Sequence, residues 1–259
     1  MKVAKKFLLL FTLFFCATVK GQNSPFKAKE EELLSFLTRI NSLSDSFNVT
    51  HNSNLYDSLE FENDVFKNKL KDYLGKNPKT LKYSFKKLRD QGLEIATSAD
   101  GLFRIYSWDT QTGGTAHTYE NIFQFGTRAH VMSFNDDTSK LSDLEGVSAA
   151  LYSKVYIVKT AGGIIYLGMY DQTVGNLDLI TGVMLFSTKK DKLFEPKLLK
   201  TGNGLQSKIF YEYHPSLQPQ ITYNENSKTI FLPLISGSGI ETRRTIKYKF
   251  TGKYFEKSK

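Results

Sequence analysis

The sequence predicts an α+β fold, with two to three N-terminal helices followed by an antiparallel β-rich domain built as a meander, sandwich or barrel. Three observations carry this. From Phe26 to about Asp90 the apolar residues recur at three- and four-residue spacing, the period of an amphipathic helix; from Leu93 onward they recur at two, the period of a strand. No helical stretch separates the later strands, so a parallel sheet of strand–helix–strand units is not expected. Aromatic residues form 14% of the chain, nearly all Tyr and Phe, which suits a large packed sheet and argues against disorder.

The first segment stands apart from that fold. Lys2, Lys5 and Lys6 precede an apolar run from Phe7 to Phe15, interrupted only by Thr12. Ala17, Thr18, Val19 and Gly21 follow, and the chain turns polar at Gln22. This is the layout of a secretory signal peptide over residues 1–21. The run is far short of the roughly 20 residues a spanning helix needs, so no transmembrane span is expected in the mature chain. Cleavage is expected after Gly21, with Ala17 as the alternative. Lipid attachment at Cys16 is disfavoured, because Phe14 and Phe15 stand where such a signal needs a small residue. The expected location is periplasmic or secreted.

Removing the segment changes what chemistry is open to the chain. Cys16 is the only cysteine, so the mature protein would have no disulfide, thiolate metal site or cysteine nucleophile. About 238 residues would remain, enough to build a core without disulfide support. The segment also holds four of the 35 basic residues and none of the 26 acids, so a net charge of +9 falls to an excess of five. The basic clusters, Lys82 to Arg89 and Arg243 to Lys249, are less focused than a nucleic-acid-binding stripe, and no nucleic-acid partner is expected.

In the helical region (22–92), Leu33, Leu37 and Ile40 share one face, with acids at the N-terminal end to suit the dipole. Ser42 to Tyr56 is polar and reads as a loop. A second helix is expected from Ser58 to Leu74, stopped by Gly75. Asn77-Pro78 starts a third, carrying Leu81, Phe85 and Leu88 inward. In the β-rich domain (93–259), strands are expected at 93–98 and 102–109 around the turn Ala99-Asp100-Gly101. Further strands follow at 116–126, 154–159, 164–170, 183–188, 193–199, 207–213, 220–223, 229–234 and 242–250, with a helical turn at 139–145.

The most distinctive stretch of the β-rich domain is Asp100-Gly101-Leu102-Phe103-Arg104-Ile105-Tyr106-Ser107-Trp108-Asp109, continued by Thr110-Gln111-Thr112-Gly113-Gly114-Thr115. It resembles a segment of uncharacterised exported proteins of Gram-negative bacteria. Tyr166-Leu167-Gly168 and Tyr248 to Lys253 look like closing strands of the same group. The resemblance implies export and a helical region ahead of the first two strands, and it brings no activity, cofactor or catalytic residue.

On that strand Arg104, Tyr106 and Trp108 share one face. Turned outward, they form a binding surface in which the rings stack on a sugar or cover an apolar patch while Arg104 pairs an anion. Turned inward, the rings pack under the N-terminal helices and Arg104 pairs Asp109 or Glu94. Two carboxylates across a cleft would serve a glycoside hydrolase, and the candidates are Asp109 with Glu120, and Asp171 with Asp178. His117 and His130 lie on adjacent expected strands and would form a metal or acid–base pair if they met; each would otherwise be an ordinary hydrogen-bonding residue. The loops at 135–140 and 171–178 are rich in oxygen ligands but lack the order of a calcium loop. No nucleophile elbow or phosphate loop appears. The expectation is therefore a non-enzymatic exported module, without cofactor, that binds an extracellular or envelope ligand. The alternative is a hydrolase of extracellular or envelope polymers using paired carboxylates.

Overall fold

A computed structural model describes residues 25–128, 130–133, 149–189, 191–217, 219–236 and 241–258. The signal segment with Cys16, the loop at 135–140, the expected helical turn at 139–145 and residues 237–239 lie outside the described residues.

Helix α1 (Pro25–Thr50) is longer than expected, because its buried stripe of Leu33, Leu37 and Ile40 continues through the small Ser44 into the polar stretch. The chain breaks only at His51-Asn52. The Asn52 side chain then caps α2 (Ser53–Lys76) by accepting from Asn54 N. The helices run antiparallel, with Arg39 on Glu62 and Lys69 on Glu32 fixing the register. The third helix differs from expectation. A 3-10 turn (Pro78–Lys82) and a four-residue helix α3 (Lys86–Arg89) flank Phe85, which adopts a left-handed conformation at φ 47°. Leu81, Phe85 and Leu88 still face inward.

Strands β1 (Glu94–Thr97), β2 (Phe103–Asp109), β3 (Tyr119–Phe125) and β4 (His130–Ser133) form a first antiparallel sheet in chain order. Strands β5 (Leu151–Thr160), β6 (Gly163–Thr173) and β7 (Leu179–Lys189) begin a second sheet, and β8 (Lys192–Phe194) folds back on the end of β7. The chain then crosses to a third sheet with β9 (Leu199–Thr201) and β10 (Gly204–Gln206), and returns to β7 with β11 (Lys208–Tyr213). Strands β12 (Thr222–Asn224), β13 (Thr229–Ile235), β14 (Glu241–Phe250) and β15 (Phe255–Ser258) complete the third sheet, in the order β10-β9-β15-β14-β13-β12. The single parallel pairing sets Phe255 of β15 opposite Leu199 of β9. The expected strand 193–199 is thus two strands in two sheets, divided at Pro196, which cannot donate to a ladder.

These elements stack in four layers. Leu37, Ile40, Phe66 and Leu70 of the helices meet Tyr106, Trp108 and Ile122 of the first sheet. The other face of that sheet gives Phe103, Ile105 and Phe123 to Tyr152, Tyr166 and Phe186 of the second. The back of the second sheet gives Leu167, Val183 and Leu185 to Ile230, Leu232 and Phe255 of the third. Strands buried on both faces explain the high aromatic content. Gly182 shows how tight the middle layer is: a Cβ there would lie 2.5 Å from the Tyr170 ring. Among the described residues, no helix is long and apolar enough to cross a membrane. With a single cysteine, the chain has no internal disulfide.

Several carboxyls are buried in this stack, among them Glu30, Glu62, Glu120 and Glu195. Glu195, 7% exposed, accepts from Ser207 Oγ at 3.5 Å. Burial pushes it up to about 7, against the opposing pull of Lys208 and Ser207. The folded chain therefore holds a proton that the unfolded chain, near 4.5, releases. Stability from this group is complete at acid pH and is lost as pH rises through about 7. Glu195→Gln, whose amide mimics the protonated carboxyl, is expected to flatten the fall in denaturant midpoint between about pH 5 and 8. An equal fall in both proteins would exclude Glu195 as its cause.

Candidate functional site

Strand β2 carries the residues singled out in the sequence, and its two faces meet different layers. Arg104, Tyr106 and Trp108 are 7%, 0% and 1% exposed and lie against the helices. The outward binding face expected of them is therefore absent, and the two rings pack under the N-terminal helices as in the inward alternative. Alternation on β2 separates two covered faces, not an inside from an outside.

The polar groups of all three have partners. Trp108 Nε1 donates to Asn63 Oδ1 at 3.0 Å, and the indole stands edge-on to Phe66. Tyr106 OH donates to Gln124 Oε1 at 2.8 Å, and burial pushes that phenol up to about 12. Arg104 pairs with neither Asp109 nor Glu94. Its guanidinium donates to the carbonyls of Thr80 and Tyr83, each at 2.7 Å, and to Thr97 Oγ1.

The paired residues separate as well. Trp108 stands opposite Glu120 and Asp109 opposite Tyr119, so Asp109 and Glu120 project from opposite faces of the sheet. Glu120 meets Lys67 at 3.0 Å on the helix side. His117 lies just before β3, whereas His130 pairs with Phe125 at the strand's other end and contacts Asp191 at 2.7 Å. Seven strand residues span about 24 Å, so the two histidines do not form a metal or acid–base pair. Among the described residues, no three His, Cys, Asp or Glu side chains group as metal ligands.

What the structure does bring together is Asp109 and His117, across the β2–β3 connection. Thr110 N donates to Thr118 O at 2.8 Å and closes the base of that loop. Gln111 and Gly114 take positive φ at 62° and 58°. Gly113 packs so closely that a Cβ would lie 2.0 Å from Ala116 O, which no side chain permits. His117 N donates to Thr173 O at 2.9 Å, tying the loop to β6. The His117 Nδ1–Asp109 Oδ2 contact fixes the ring, while Asp109 Oδ1 accepts from Gln111 N. The carboxylate on Nδ1 assigns a proton to that nitrogen.

Two clefts share His117. One, of about 180 Å³, runs to the end of α1 and is lined by Ser44, Phe47, Asn48 and Thr112. The other, of about 370 Å³, runs to the end of β6 and is lined by Tyr119, Gln172, Thr173 and Val174. Neither is lined by Lys or Arg among the described residues. Apart from the Asp109–His117 pair, these walls of amides, hydroxyls and rings suit a neutral, hydroxyl-rich ligand. In the sequence Thr112-Gly113-Gly114 reads only as a turn and Ser42 to Tyr56 as a loop, so the part played by α1 is not visible there. The signal that marks the site is a Gly-rich polar run between an acid at a strand end and a histidine.

Comparison with protein-family models, curated proteins and solved structures gives no match for this chain.

Proposed function

We propose that the chain is an exported, non-enzymatic binding module of the cell envelope or extracellular space, and that it holds a glycan at the clefts around His117. The observation that carries this reading is the His117–Asp109 pair at the junction of two clefts whose other hydrogen-bonding groups are neutral. The signal-like segment and the resemblance to exported Gram-negative proteins support export. Binding is favoured over hydrolysis by the carboxylates' orientation: Asp109 holds a histidine on one face and Glu120 a lysine on the other.

Two measurements test it. The protein recovered from the envelope or medium is expected to begin at Gln22; only full-length chain in the cytoplasm would overturn export. Mixed with purified cell-wall glycan, the protein is expected to sediment with it. His117→Ala and Gln111→Ala are each expected to reduce the bound fraction by several-fold, about 1 kcal/mol apiece. Wild-type protein left in the supernatant, or unchanged sedimentation of both variants, would overturn the reading.

A further inference from the structure

A second pocket lies on the opposite face of the same length of β6. Gln172 faces the His117 cleft; Asp171, its neighbour, faces the third sheet. Strand pairing places Asp171 level with Thr181 of β7, and Thr181 level with Tyr211 of β11; one rung further, Leu179 pairs with Tyr213. The resulting pocket, of about 320 Å³, is walled by Asp171, Thr181 and Tyr213 over Met169, Leu179 and Ile221.

Its charge sets it apart. Asp171 is the only carboxylate in the lining, and no Lys, Arg or His lines it among the described residues, in a chain whose net charge is +9. Asp171 is exposed at the pocket rim; desolvation by the surrounding walls pushes its carboxyl above the ordinary Asp range, against the hydrogen bond from Thr181. Burial raises the Tyr213 phenol and the charge of Asp171 adds to it, so the two groups are electrostatic neighbours. An exposed carboxylate at the mouth of a pocket whose lining holds no cation among the described residues favours a cationic ligand. An adjoining ring attracts the same charge, and an apolar floor accepts a methylene stem.

We propose that this pocket binds an alkylammonium group, a primary amine on an aliphatic stem of about four carbons, as on a lysine side chain. The ammonium sits between Asp171 and Tyr213, and the stem lies over Met169, Leu179 and Ile221. The volume is at the small end of the usual range for ligand pockets, which fits one side chain and not a folded peptide. The site is independent of the glycan reading.

The test is an amide NMR titration of the whole protein with n-butylammonium, with n-butanol as the neutral isostere at equal ionic strength. Saturable shifts at Asp171, Thr181 and Tyr213 are expected with the amine and not with the alcohol. Asp171→Asn is expected to weaken the amine about tenfold or more. Shifts that never saturate, that butanol reproduces, or that persist unchanged in Asp171→Asn would overturn the proposal. The amine–alcohol comparison needs no variant, so a destabilised Asp171→Asn does not rescue it. Glycan sedimentation is expected to be unaffected by butylammonium.

Discussion

Trp108→Ala is expected to cost about 3–5 kcal/mol of unfolding free energy, the range for removing a large aromatic from a packed core. The indole is 1% exposed and stands edge-on to Phe66, with ring centroids 5.1 Å apart. Its loss also strips Asn63 Oδ1 of its donor at a buried position. Asn63 Nδ2 donates to both Leu59 O and Thr110 O, so this amide fastens the end of β2 to α2. Disturbing it therefore reaches the loop that carries His117. Trp108→Phe keeps a ring but not the N–H, and is expected to cost less, about 1–2 kcal/mol. Urea unfolding followed by circular dichroism reads both; a Trp108→Ala loss under about 1 kcal/mol would contradict the packing described.

Arg104→Met is expected to cost about 2–4 kcal/mol, through polar groups left unpaired and not through lost volume. The methionine fills much of the stem's space. It leaves the carbonyls of Thr80 and Tyr83 without the guanidinium donors that hold them. Those carbonyls belong to the segment that breaks the expected third helix and sets Phe85 at φ 47°. The variant is therefore expected to speed amide exchange from residue 78 to 89 more than in α1 or β6. Uniform acceleration across the protein would show that Arg104 does not act locally.

That broken helix marks where local pattern stops being informative. Leu81, Phe85 and Leu88 have helical spacing and are all buried, so the face was legible. The backbone between them is set by a guanidinium from β2, more than 20 residues away in the chain, which no local window contains. The α1 stripe was legible to Ile40 and then hidden, because Ser44 fills a core position where a larger apolar residue would have shown. Strand positions from 94 to 250 largely follow the two-residue period, but β4, β10 and β15 were not legible in it. At the site, Asp109 and His117 were each visible as candidates. Their pairing was not, since it depends on a loop whose shape Gly113 permits and whose end β6 anchors.

The third sheet has a consequence for the order of events during folding. Its strand β15 sits between β9 and β14, pairing in parallel with one and antiparallel with the other. In the chain it comes after both. Until it is inserted, the β9–β10 hairpin and the β12–β14 ribbon have no link to each other, and each keeps an open edge. The outermost layer is thus closed like a clasp, by a strand that follows both of its neighbours in the chain. A chain threaded outward from its N-terminus can complete the helical hairpin and the first sheet early. It keeps this layer unlatched until residues 255–258 have emerged.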